Sequence, residues 1–222
     1  EVWRNEDRFL EENEIHSAYG LSGSPESVVV YADTTITDQN KVIWYHRNCR
    51  SIWAETLALQ GMESWLDQGN DPLQDLTFGG LIQGENFANS DGTSLKSTKP
   101  EKHHLVSIHL LTAQTVTPQQ WIDQLQKLSH QTNLISLNQA RKAHQKWWTD
   151  FWNRSWIFVS GDEFAETVTR GYILQRFMTA SAGRGKSPIK FNGSIFTVDA
   201  LLDGQDYDAD YRNWGGPYWF QN

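Results

Sequence analysis

The chain has 222 residues, with 19 Lys plus Arg against 27 Asp plus Glu, so its net charge is −8. Against a prior of about 150 residues per domain, that is one large domain or two small ones, long enough to bury a core without staples. The acidity and the lack of a basic run argue against nucleic acid as a partner, and no stretch reaches the roughly 18 apolar residues that membrane insertion needs.

The first third reads as strands. Val28-Val29-Val30-Tyr31 follows a Gly-Ser-Pro turn, and Lys41–Arg47 carries Val42, Trp44 and His46 on one face and Ile43 and Tyr45 on the other. Ile52, Trp53, Thr56, Leu57 and Gln60 recur at helical spacing over 51–60. Asp71-Pro72 marks a turn, 76–83 a strand interrupted by Gly79-Gly80, and 89–94 a polar loop. Over 103–111 the alternation puts Val106, Ile108 and Leu110 on one face and Leu105, Ser107 and His109 on the other, a half-buried antiparallel strand. At Thr117-Pro118 the character changes. Thr117 suits an N-cap, Pro118 the first helical position, and Gln120 completes a capping box, with Trp121, Leu125 and Leu128 at helical spacing. A second helix is predicted over about 136–153, and Trp156–Val159 reads as a short strand or an extended link. Asp162 caps a third helix with Phe164, Val168, Tyr172, Gln175 or Arg176, and Thr179 on one face, ended by Gly183 and Gly185. Residues 186–222 read as a long ordered loop. Strands first and helices after make an α+β chain, against alternating βαβ units.

Most familiar chemistries are excluded by spacing. The seven His residues form no HExxH, and His103-His104, if in a strand, point to opposite faces and cannot share a metal. There is no GxSxG elbow, and Gly183-Arg184-Gly185-Lys186-Ser187 lacks the upstream Gly of a phosphate loop. The single Cys49 excludes an internal disulfide and any CxxC metal site and reads as a small buried hydrophobe. Asp206, Asp208 and Asp210 alternate as at the opening of a calcium loop, but Tyr211 stands where such a loop needs Gly. No metal and no cofactor are expected. Eleven Trp residues exceed what packing requires. Trp147, Trp148, Phe151 and Trp152 read as helix packing. The segment from Asp210 to Trp219, with its Gly pair and fixed polar groups, is either packing or a face for pyranose rings.

Three segments resemble bacterial glycoside hydrolase-like proteins, among them a family related to the α-L-fucosidases of the inverting type. They are Val42-Ile43-Trp44-Tyr45-His46-Arg47-Asn48; His144-Gln145-Lys146-Trp147-Trp148 through Phe151-Trp152-Asn153-Arg154-Ser155; and Lys190-Phe191-Asn192-Gly193-Ser194-Ile195-Phe196 with Asp210 to Asn222. The resemblance implies an antiparallel β-sandwich portion over 1–117, a helical linker over 118–160, and over 161–222 the start of an α/α barrel with a substrate-facing loop. It implies the N-terminal portion of a carbohydrate-active enzyme, a glycoside hydrolase on complex glycans, secreted or periplasmic. Its partners would be an oligosaccharide or polysaccharide and the remainder of the same polypeptide or barrel. Asn192, Asp210, Arg212, Asn213 and Trp214 are then expected to line a sugar subsite, with Arg212 also suited to an acidic group. The fucosidase pattern has two Asn separated by one residue; here the second position is Gly215. The acid and base of such enzymes lie further along the barrel, beyond Asn222, so no catalytic residue is assigned. Asp199, Asp206, Asp208 and Asp210 stay unassigned, since inverting hydrolysis needs two carboxylates about 6.5–9.5 Å apart. A chain opening at Glu1-Val2-Trp3 and stopping at Trp219-Phe220-Gln221-Asn222 is expected to be a piece of a longer protein, inactive alone. Two rival readings are a non-catalytic glycan-binding module and a purely architectural one.

Overall fold

A computed structural model of the chain describes residues 4–9 and 29–182. They fall into two compact units, one of residues 4–9 and 29–137 and the other of residues 138–182. The architecture is α+β, with antiparallel sheets and helices in both lengths and order close to the sequence pattern.

In the first unit, β1 (Arg8–Phe9) pairs with β2 (Val29–Val30). Then β3 (Thr34–Asp38), β4 (Lys41–Arg47), β5 (Leu76–Gly84) and β8 (Val106–Gln114) form one antiparallel sheet in the order β3-β4-β5-β8. A smaller hairpin of β6 (Phe87–Asn89) and β7 (Leu95–Ser97) rises between β5 and β8. Helix α1 (Trp53–Leu59) and a 3-10 turn (Glu63–Gln68) lie between β4 and β5. Helix α2 (Pro118–Asn133) follows β8.

Sheet register decides what α2 covers. It aligns Ile43 with Leu81 and His109, Tyr45 with Gly79 and Leu111, and Arg47 with Thr77 and Ala113. On that face Trp121, Ile122 and Leu125 of α2 meet Ile43 and Leu81 in the buried core, with Tyr45, Leu111 and Ala113 packed around them. The helix starts where its capping residues dictate. Gln120 N donates to Thr117 Oγ1 at 3.3 Å, while the Gln120 side chain reaches back to Val116 N at 3.1 Å, one residue before the cap itself.

The alternation of β8 is present, and the covered face is the one that carries Ser107 and His109. Val106, Ile108 and Leu110 are 41%, 60% and 67% exposed, while His109 is buried. The reason is register: α2 sits over Ile43 and Leu81, which brings the odd-numbered residues of β8 beneath it. The strand also runs on to Gln114, so Leu111 and Ala113 supply apolar surface there. Strand β5 passes through Gly79-Gly80 unbroken because both glycines face close neighbours. A Cβ on Gly79 would collide with the Trp44 carbonyl oxygen, and one on Gly80 would meet the Leu110 and Trp44 side chains at 2.8 and 2.9 Å. Cys49, expected to be buried, is instead exposed in the loop after β4, its Sγ donating to the Arg47 carbonyl at 3.4 Å. The buried side chains at the end of β4 are those of His46 and Arg47, both polar.

The second unit holds α3 (Leu137–Trp152), apart from its first residue Leu137, which belongs to the first unit, and α4 (Glu163–Ala182); the two helices are joined by an extended stretch that enters no strand among the described residues. The α3 aromatics pack as expected. Trp147 stacks on Phe151 and Trp148 on Trp152 and on Phe177 of α4; Trp152 stacks on Trp156, and Trp156 on Phe158. Arg176 of α4 sits 4.4 Å from the Phe151 ring and 5.1 Å from the Trp152 ring. It donates to the carbonyls of Phe151 and Ser155, so one guanidinium satisfies carbonyls at and beyond the end of α3 while stacking on its rings. Asp162 accepts from Phe164 N at 3.0 Å, the cap the sequence predicts. On the predicted α4 stripe, Tyr172 and Arg176 reach this cluster, whereas Phe164 and Val168 are exposed. Among the described residues no helix is long and apolar enough to cross a membrane.

Candidate functional site

Strand β5 ends at Gly84, and the chain turns through Glu85 and Asn86, the latter at φ 59°, a left-handed conformation that Asn tolerates well. The turn is fixed from a distance: Thr98 N and Thr98 Oγ1 both donate to the Asn86 carbonyl, at 2.9 and 3.0 Å. The return path from β7 to β8 therefore runs beside Asn86. Its Nδ2 donates to Glu101 Oε1 at 3.2 Å, which also accepts from Lys99 Nζ at 2.8 Å. His104 meets the Phe87 ring edge-on at 5.4 Å. The result is a groove of about 400 Å³ lined by Glu85, Asn86, Glu101, His103, His104, Leu105 and Leu137.

His103 and His104 both face this groove, against the expectation that neighbours in a strand diverge. Strand β8 begins only at Val106, so these residues lie in irregular backbone where period-two alternation does not hold. The Lys99 ammonium, hydrogen-bonded to Glu101, holds that carboxyl below the usual carboxylate range, and Glu101 in turn raises Lys99. Glu101 is thus ionised at neutral pH and is the wrong group for a general acid, which needs a raised value. What the groove offers is fixed acceptors, one amide, two imidazoles and two leucines: a surface for hydrogen-bonding a hydroxyl-rich ligand against an apolar wall. Among the described residues no group of three or more His, Cys, Asp or Glu side chains is placed to hold a metal ion.

A second polar cluster looks like a catalytic pair and is not arranged as one. His46 Nδ1 lies 2.9 Å from Asp33 Oδ1, to which Arg4 Nη1 donates at 3.4 Å. Asp33 N also donates to the Arg4 carbonyl at 2.8 Å, and Ala32 N to Asp7 at 2.7 Å. These bonds tie residues 4–9 to the sheet. Burial, then the Arg4 charge, push His46 below its ordinary 6.5, with Asp33 pulling the other way; burial alone lowers His109. The unfolded chain takes up a proton on each imidazole near 6.5 and the folded chain only at lower pH. Stability from the neutral imidazoles is therefore complete above about 6.5 and is lost as pH falls toward the lower folded values. The melting temperature of the sheet unit is expected to drop between pH 7 and 5.5, less steeply in His46→Gln/His109→Gln. A flat or rising melting temperature in the unmodified chain contradicts this.

The sugar-site residues expected from sequence, Asn192, Asp210, Arg212, Asn213 and Trp214, lie outside the described residues, as do Asp199, Asp206 and Asp208. The groove residues were not among those expectations. The one local signal for them is Gly84-Glu85-Asn86 at a strand end, a turn signature; the approach of Glu101 to Asn86 depends on non-local pairing.

Comparison with known proteins places one family on the chain. The model described as Domain of unknown function (DUF5703), in its N-terminal part, matches residues 1–157, which takes in β1 through α3. No curated protein and no solved structure matches the sequence. With more than half its length matched, the chain belongs to the DUF5703 family through that N-terminal domain.

Proposed function

We propose that the chain is the N-terminal portion of a secreted or periplasmic carbohydrate-active protein, a glycoside hydrolase on complex glycans, in which the sheet unit binds glycan without cleaving it. The observation carrying this reading is the groove: the Glu101 carboxylate, held below the usual range by Lys99, stands with an amide and two imidazoles beside Leu105 and Leu137, a surface suited to holding hydroxyls and not to protonating a leaving group. The three segments resembling glycoside hydrolase-like proteins support the same class. In this reading Asn192, Asp210, Arg212, Asn213 and Trp214 contact sugar in the parent protein, and the acid and base are supplied by the remainder of the polypeptide.

Titration calorimetry of the 222-residue chain against a panel of neutral and acidic oligosaccharides tests it. Binding is expected at about 0.1–1 mM, about −4 to −5.5 kcal/mol, and Glu101→Gln is expected to weaken it about tenfold by removing a charged acceptor. Aryl glycosides are expected to survive incubation with this chain. Absence of binding across the panel, indifference to Glu101→Gln, or turnover by this chain each overturns the reading.

A further inference from the structure

Residues 4–9 are fastened to the sheet through one shared carboxylate. Asp33 Oδ1 accepts from Arg4 Nη1 at 3.4 Å and lies 2.9 Å from His46 Nδ1, so a cation and an imidazole meet on a single oxygen. Strand register brings them together: Thr34 pairs with Tyr45, which sets Asp33 opposite His46. The Phe78 ring of β5 lies beside the cluster, 5.3 Å from the His46 ring and 5.8 Å from Arg4 Cζ. Asp33 N donates to the Arg4 carbonyl and Ala32 N to Asp7 Oδ1, and β1 pairs with β2 just beyond. Among the described residues the charged groups facing His46 are Arg4 and Asp33. Phe78 is uncharged, and Arg47, next in β4, points to the opposite face toward Asp75.

We propose that residues 4–9 are an acid-released strap, in which His46 takes up the proton and Arg4 is the group let go. With a neutral imidazole the cluster balances, one carboxylate against one guanidinium, while Nδ1–H of the ring donates to Asp33. A proton from solvent on Nε2 makes His46 a second cation on the same oxygen, leaving one positive charge without a partner. Anchoring decides which cation yields. His46 is fixed in β4 with its side chain 9% exposed, and its bond is the short one. The Arg4 side chain is 34% exposed and its bond is long, so water takes over the guanidinium at little cost. Burial, then the Arg4 charge, hold His46 below its ordinary 6.5 while the strap is closed. Release relieves both, so the open form binds the proton more tightly and acid favours it. The strap is therefore closed above about 6.5 and opens as pH falls through the lower folded value. Its release bares the Phe78 ring and the side of β2 that β1 covers. The inference does not rest on the glycan reading.

Residue-resolved hydrogen exchange by NMR on the full chain tests it, each rate divided by that of the same amide in an unstructured chain. Between about pH 7.5 and 5.5 the Ala32 and Asp33 amides are expected to exchange about tenfold faster, the factor that a histidine of ordinary affinity in the open form supplies. Low urea is expected to leave those rates unchanged while it speeds the β4 and β5 amides, the mark of a local opening. In His46→Gln, which keeps an N–H for Asp33 and cannot take the proton, the pH response is expected to vanish. One measurement stands even if that variant fails to fold: the NMR titration of the His46 ring is expected to move up in Arg4→Gln. Strap amides indifferent to pH, a response retained in His46→Gln, one urea dependence for the strap and the sheet, or a His46 titration unmoved by Arg4→Gln overturns the proposal.

Discussion

Replacing Arg47 by methionine is expected to cost the sheet unit about 3–5 kcal/mol, the range for removing one partner of a buried, hydrogen-bonded charge. Arg47 is 8% exposed. Its Nη1 donates to the Asp75 carbonyl at 3.1 Å, Thr77 Oγ1 at 2.8 Å and Thr115 Oγ1 at 3.4 Å; its Nη2 donates to the carbonyls of Thr115 and Val116 at 2.8 and 3.2 Å. Asp75 Oδ1 lies 2.8 Å from Nη2. A single planar fork thus pins the end of β4 to the start of β5 and to the link between β8 and α2. Methionine fills much of the stem's volume but leaves those carbonyls without donors. Lysine restores the charge and not the fork. At about 3 °C per kcal/mol for a unit of this size, the melting temperature is expected to fall by about 10–15 °C, readable by circular dichroism. Asp75→Asn is the control: its side chain is 38% exposed, so water compensates and less than about 1 kcal/mol is expected. Equal effects of the two substitutions contradict the account.

Trp121→Ala is expected to cost a similar amount, about 3–5 kcal/mol, by a different route. Trp121 is fully buried between Ile43, Leu81 and Leu125, its ring 5.3 Å from that of Tyr45. Truncation opens a cavity at the centre of the helix–sheet contact. The indole Nε1 has no hydrogen-bond partner, so Trp121→Phe removes an unsatisfied donor along with part of the ring. That offset is expected to hold its cost to about 1–2 kcal/mol. Urea titration of both variants separates the two contributions. A Phe variant as damaged as the Ala variant contradicts this account.

Local chemistry was readable from the sequence where it is decided locally. Lys41–Arg47 is a strand because its β-branched and aromatic residues alternate, and α2 starts at Pro118 because Thr117 and Gln120 cap it. Thr34–Asp38 escaped notice because Thr and Asp at its ends offer no apolar period; only pairing with Lys41–Arg47 makes it a strand. Which side of β8 is covered is not legible in the sequence for a related reason. Alternation says that two faces differ, while the choice of the covered one is made by α2 and by register with β5. The groove was invisible for the same cause, since its residues come from both flanks of the β6–β7 hairpin and meet only through bonds such as Thr98 to Asn86.

The long detour between β5 and β8 also sets the order of events on the ribosome. Their nearest partners, Gly84 and Val106, are made 22 positions apart, so at about 5–20 residues per second β5 waits roughly 1–4 s for its neighbour to be synthesised. During that interval the glycine-bearing strand stands bare on one side, and Leu81 has neither its cross-strand partner His109 nor the helix that will later roof it. Nascent chains of this design spend seconds as incomplete sheets, and a chaperone that shields β edges would act in that window.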